Sequence, residues 1–193
     1  MRAVVIHAFG GRDRLELAEV PEPPLPPDGD RIAVGAAGVS PVGWQTREGQ
    51  QTRSPQVFPI VLGRDAAGVV EAVCPAARER APGAEVFAPG RKHVIGEGIY
   101  AEQVDWNSIR SATRALTPAV AGRTVSIVQP GEGHQHTSVR PGGPGLSYRA
   151  RWLAAGRLRV RFETTFPLEQ AAGAHELLEA GHVRGKIALT VSA

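Results

Sequence analysis

Apolar positions along the first hundred residues fall in short, largely β-branched runs broken by glycine and proline, a strand pattern. Arg2–His7 is β-branched, and Leu15–Glu19 alternates as its partner. Arg31–Val39 is a third strand, ended by Ser40-Pro41. Pro59–Val73 stands at the centre: an apolar run (Ile60, Val61, Leu62) meets a Gly63-Arg64-Asp65 turn, and Ala66-Ala67-Gly68 leads into the β-branched Val69–Val73. Ala84–Ala88 and Ile99–Val104 complete the set. Pro21–Pro27 is an extended connector, Val42–Glu48 a single helical turn carrying Trp44, and Gly49–Phe58 a proline-broken loop. Many short strands with Gly/Pro turns predict a small β-barrel.

The pattern changes after about residue 106. Asn107–Ala119 places Ile109, Ala112 and Leu116 on one helical stripe. Arg123–Val128 reads as a strand, Gln129–Pro144 as a loop rich in glycine and histidine, and Leu146–Ala155 as a helix carrying Tyr148 and Trp152. Arg157–Glu163 alternates strictly, with Leu158, Val160 and Phe162 on one side, which predicts a half-buried strand. Pro167 suits the first turn of a closing helix, Glu169 its positive end, and Gly181 its stop; Lys186–Val191 is the last strand.

Composition narrows the possibilities. A chain of 193 residues with a formal charge of +3 is ordinary for a soluble protein. Its basic residues are nearly all arginine, with lysine only at 92 and 186, and they are scattered, so no nucleic-acid partner is expected. Cys74 is the only cysteine, which excludes a disulfide framework and a cysteine-built zinc site; it reads as a structural thiol. No secretory leader opens the chain and no apolar run reaches membrane-span length, so the expectation is a cytoplasmic protein with no membrane partner.

LGRDAAGVVEAV within the central stretch resembles the motif of the GroES-like catalytic domain in medium-chain dehydrogenases/reductases. The nearest branch in appearance is the zinc-independent quinone oxidoreductases. MRAVVIHAF with Leu15-Glu16-Leu17 resembles the opening hairpin, Ile32–Val39 with Ser40-Pro41 the AAGVNP strand and turn, and GIYAEQ at 98–103 the GGYAEY strand. FPLEQAAGAHELLEAGHVRGKIALTV at 166–191 resembles the closing helix and strand. The resemblance implies a fold that is mainly β with α: a GroES-like barrel over 1–106, a truncated Rossmann remnant over 107–165, and a closing helix and strand over 166–193.

In that family a full nucleotide-binding domain separates the GIYAEQ-like strand from the segment resembling GRTVSIV. Here only Val104 to Gly122 intervene. A dinucleotide site needs a strand, then G-x-G-x-x-G/A, then a helix N-terminus facing the pyrophosphate. The one match, Gly96-Glu97-Gly98-Ile99-Tyr100-Ala101, enters a strand, so no cofactor is expected. The resemblance puts Ser40 and Arg64 where zinc-dependent relatives place a Cys and a His. Serine is a poor zinc ligand and arginine cannot be one, so no metal is expected. Ser40 also replaces the Asn usual in the quinone-reductase branch, and Gly43 the usual Asp.

Asp65 is the leading acid/base candidate, set against a strong structural reading in which it pins the turn by hydrogen bonds. Arg64 could hold a carboxylate or enolate, or pair with Asp65. His134 and His136 are the candidate partner bases, set against two merely exposed histidines. Ser40, Trp44, Arg64 and Tyr100 are the candidate substrate contacts, while His175 and His182 read as structural. The expected function is a non-redox enzyme, independent of cofactor, acting on a conjugated carbonyl or quinone-like or polyketide-like compound. Isomerisation, dehydration, conjugate addition and cyclisation are its candidate reactions, in a secondary-metabolite pathway. The alternatives are a protein that binds or sequesters such a compound and a redox-dead scaffold. A homodimer is expected, because removal of the Rossmann half would leave strand edges open.

Overall fold

The computed structural model describes residues 1–25, 27, 29–50, 57–74, 81–89, 98–105, 125–126, 135–136 and 143–191. The chain divides into two compact units: Met1–Ile109 together with Val160–Ala193, and Arg110–Arg159.

The first unit is built of β-sheet. Strand β1 (Arg2–Ile6) lies between β2 (Glu16–Glu19) and β4 (Ile60–Val61), antiparallel to both. A larger sheet runs in the order β10 (Phe162–Pro167), β11 (Lys186–Thr190), β3 (Asp30–Val39), β5 (Asp65–Val73), β6 (Glu85–Pro89), with β7 (Gln103–Asp105) also on β3. All its pairings are antiparallel except β10 with β11. A bridge between Ala3 and Ala101 joins the two sheets. Helix α1 (Pro41–Arg47) follows β3, and α3 (Ala171–Ala180) joins β10 to β11 after a 3-10 turn at Leu168–Gln170.

The core is the apolar face of these strands: Val5, Ile6, Ile32, Val34, Ile60, Leu62, Ile187 and Leu189 are all buried. Each such side chain contributes about 1.5–3 kcal/mol relative to exposure. Along β3 the buried positions step Ile32, Val34, then Ala37, Val39. The three-residue step coincides with a register shift against β5 between Val34 and Ala36. This bulge resets the alternation and turns Ala36 and Gly38 to the outer face.

In the second unit β8 (Val125–Ser126) pairs in parallel with β9 (Gln135–His136), and α2 spans Gly143–Ala154. Tyr148 and Trp152, one turn apart, meet at 4.6 Å between ring centroids, and the Arg157 guanidinium lies 5.2 Å from the Trp152 ring centre.

The mainly-β architecture with few helices agrees with the sequence, and two details differ. The strand expected at Arg157–Glu163 forms instead at Phe162–Pro167, with Val160 and Phe162 exposed rather than half-buried. Its position is set by parallel pairing with β11, which begins at Phe162–Lys186. Part of the loop expected over 129–144 is strand β9. The helix expected over 107–119 lies outside the described residues. Among the described residues no helix is long and apolar enough to cross a membrane.

Candidate functional site

Asp65 opens β5 and occupies the outer face of the large sheet, opposite Gly38 on β3. Lys186 opens β11, on the other side of β3. Its Nζ donates to Asp65 Oδ2 at 2.9 Å. The two strands are not neighbours, so this pair crosses the central strand, and it does so where that strand has no side chain. A Cβ on Gly38 would lie 2.7 Å from Lys186 Cε and 3.0 Å from both Asp65 Cβ and Oδ2.

The pair sits in an open cleft of about 390 Å³. Its floor is small and apolar: Ala36, Ala37, Ala66, Ala67 and Ala188 with Gly38. Phe87 on β6 and Val160 with Phe162 at β10 form its flanks. All three flanking side chains are exposed, an apolar surface around two charged groups, which suits a small hydrophobic ligand with one polar group. Lys186 retains 33% of its side-chain exposure and Asp65 44%, so both face solvent or a ligand.

The other expected site residues do not gather here. Ser40 precedes α1 in an extended conformation and Trp44 is half-buried on that helix; neither lines the cleft. Arg64 lies in the bend before β5 and does not pair with Asp65, whose partner among the described residues is Lys186. Tyr100, expected as a substrate contact, is completely buried. Its ring packs on Gly63, whose φ of +94° and missing side chain make the space, and its hydroxyl faces His175 Nε2 at 3.4 Å. Burial, with the Asp65 charge adding to it, holds the phenol well above its ordinary pKa. Such a group is a structural hydroxyl, not a ligand contact. His134 lies outside the described residues, and His136 belongs to β9 of the second unit.

Behind the barrel face lies a second polar cluster. Arg47 is 1% exposed, and donates to Gly10 O at 3.0 Å, Glu179 Oε1 at 2.7 Å and Glu48 Oε1 at 2.8 Å. Its Nη1 also stands 3.2 Å from His175 Nδ1. A guanidinium can only donate, so Nδ1 must be the accepting nitrogen and Nε2 carries the proton towards Tyr100. Burial, and then the Arg47 charge, push the His175 pKa down to about 4 against the opposing pull of Glu179. This cluster ties α1 to α3, with Arg47 and His175 buried and the two carboxylates at its solvent edge.

Zinc does not fit these residues. Among the described residues no three His, Cys, Asp or Glu side chains converge, and Arg64 offers only donors. Nor do the described residues contain a strand, G-x-G-x-x-G turn and helix in succession; the second unit's described strands have two residues each.

Residues 27–114 match the alcohol dehydrogenase GroES-like domain, and residues 99–189 match a zinc-binding dehydrogenase domain. The human quinone oxidoreductase and that of Pongo abelii are each 43% identical over 74 residues, 38% of this chain. The match spans only 22% of the length of those relatives. Among solved structures, the quinone oxidoreductase of Coxiella burnetii superposes with a TM-score of 0.78 at 17% identity, over 100% of this chain and 99% of that one. A thermostable alcohol dehydrogenase of Pyrobaculum aerophilum gives 0.79 at 16% identity, over 99% of each chain. A mycobacterial protein solved in complex with NADPH gives 0.73 at 16% identity, over 99% of this chain and 100% of that one.

Proposed function

The chain belongs to the medium-chain dehydrogenase/reductase superfamily and is quinone oxidoreductase-like, and from that premise we propose that it carries out acid/base chemistry on a conjugated carbonyl compound without a nicotinamide. The observation that carries this reading is the position of Asp65: a half-exposed carboxylate, held by Lys186, at one end of an otherwise apolar cleft. A carboxylate so placed can take a proton from a carbon next to a carbonyl and return it elsewhere on the conjugated system. That chemistry serves isomerisation, dehydration or ring closure and needs no hydride. It would suit a tailoring step on a quinone-like or polyketide-like compound.

The test is turnover of a panel of enones and fused-ring ketones by the purified chain without NADPH, followed by mass spectrometry. Asp65→Asn should lower the rate by about 10²–10⁴-fold. A near-full rate in the folded variant would remove Asp65 from the mechanism. Tight binding with release of unchanged ligand would favour a carrier or sequestering protein instead. Among the described residues β6 and β10 are the outermost strands of the large sheet, and such edges suit pairing with a second copy, so a homodimer is proposed with it. A monomer at every concentration in sedimentation velocity would contradict that.

A further inference from the structure

We infer that Lys186 is the group that binds the ligand's oxygen, reaching it through the gap that Gly38 leaves over the central strand, and that the ligand is a flat, fused-ring carbonyl compound. This inference rests on the acid/base reading and extends it to a residue and a ligand shape.

The geometry points to a ligand oxygen at Lys186 for three reasons. An ammonium has three donors, and among the described residues Lys186 has one partner, Asp65. The side chain emerges from β11 and crosses β3 only because position 38 is glycine, so its charge lies over the small-residue floor instead of at the sheet margin. The lysine is also unusual in this chain, which otherwise uses arginine almost throughout and has lysine only at 92 and 186. A compact point charge on a flexible stem fits through this gap, where a planar guanidinium would demand more room.

The floor argues for flatness. Ala36 and Ala67 face each other on β3 and β5, and Ala188 on β11 stands opposite Gly38, so the floor beside the Lys186–Asp65 pair carries no side chain larger than methyl over neighbouring strands that lie about 4.8 Å apart. Phe87 and Phe162 stand at its two sides, on the edge strands. A planar system of two or more rings can lie on that floor between them, with its carbonyl directed at Lys186.

The step balances without an oxidant. The Asp65 carboxylate takes a proton from the carbon beside the carbonyl, and an O–H bond forms as the C–H bond breaks. The freed electron pair becomes the carbon–carbon double bond of an enolate, and the carbonyl π pair moves to oxygen beside the Lys186 ammonium. The proton then returns from Asp65 to the same carbon or to a conjugated one. Lys186 thus meets the charge where it develops.

Two probes separate the parts of this argument. The first is 2-naphthol, a flat enol analogue whose ionisation is followed by absorbance. Bound to the wild type it should ionise at lower pH than free in solution. Lys186→Met should abolish that shift, and Lys186→Arg should recover part of it. The second probe is 1-tetralone in D2O, with exchange of its α-hydrogens followed by proton NMR. The wild type should accelerate exchange, and Lys186→Met should lose about 10²–10³-fold of that acceleration. Circular dichroism confirms that each variant folds. Failure of the wild type to bind 2-naphthol would overturn the ligand shape. An ionisation shift that persists in Lys186→Met would overturn the role of Lys186. A lysine-dependent shift with no exchange of 1-tetralone would leave Lys186 assigned and refute the acid/base reading.

Discussion

Acid should destabilise this protein through His175. The ring is completely buried, and its pKa is pushed from 6.5 down to about 4, by burial first and then by Arg47. A group depressed in the folded state contributes stability that is complete above its unfolded pKa and falls as pH drops through the folded one. For His175 that window runs from about pH 6.5 to about pH 4. Weighing the unfolded against the folded proton affinity, its contribution to stability falls by about 2 kcal/mol at pH 5 and about 3 kcal/mol at pH 4. The physical event is specific. Protonating Nδ1 removes the acceptor that Arg47 Nη1 faces at 3.2 Å and sets two cations side by side. Urea unfolding at pH 7.5 and pH 5, followed by tryptophan fluorescence, measures the loss. Carboxylates also titrate in this range, so the comparison is with His175→Gln, which keeps two polar ends and cannot take the proton. The variant starts lower but should lose about 2 kcal/mol less between the two pH values. Equal losses in both proteins would refute the argument, as would an NMR titration of His175 with an ordinary midpoint.

Two further changes probe the frame around the site. Arg47→Met leaves the Glu179 carboxylate and the Gly10 carbonyl without this donor and takes one of two donors from Glu48, and should cost about 1.5–3 kcal/mol in urea unfolding; a loss below about 1 kcal/mol would mean that water replaces the guanidinium. Gly68→Ala drives a methyl into the Ala33 carbonyl and to 3.0 Å from Ile32 Cγ2, at a cost of about 1–3 kcal/mol, whereas Gly35→Ala meets only Ala67 O at 3.7 Å and should stay within about 0.5 kcal/mol of wild type; thermal melts that rank the two the other way would contradict the packing at β3 and β5.

The strands of the barrel were legible in the sequence because their signal is local. The β-branched run at Arg2–Ile6, the alternation at Leu15–Glu19, Pro41 at the start of α1 and Gly181 at the end of α3 all act within a few residues. The site was only half legible. Asp65 stood out at its glycine turn, but its partner lies 121 residues further along the chain, and no local pattern joins Lys186 to it. A signal was present in the rarity of lysine in an arginine-rich chain. Tyr100 misled because its motif places it at a strand entrance, and only the space above Gly63 shows that the ring turns inward. Alternation at 157–163 reported the apolar side correctly and the covering wrongly. Period two tells which residues share a face, not whether anything lies upon it, and Val160 and Phe162 flank an open cleft.

The central claim is that this quinone oxidoreductase-like chain works on carbonyl compounds by moving protons and not hydride. The most direct measurement is the fate of 1-tetralone and a fused-ring enone in D2O, each with and without NADPH, with NADPH absorbance and the NMR spectrum of the carbonyl compound recorded together. The account predicts protein-dependent exchange or isomerisation at the same rate in both conditions, with NADPH unconsumed. Consumption of NADPH matched by formation of the reduced carbonyl compound would contradict it.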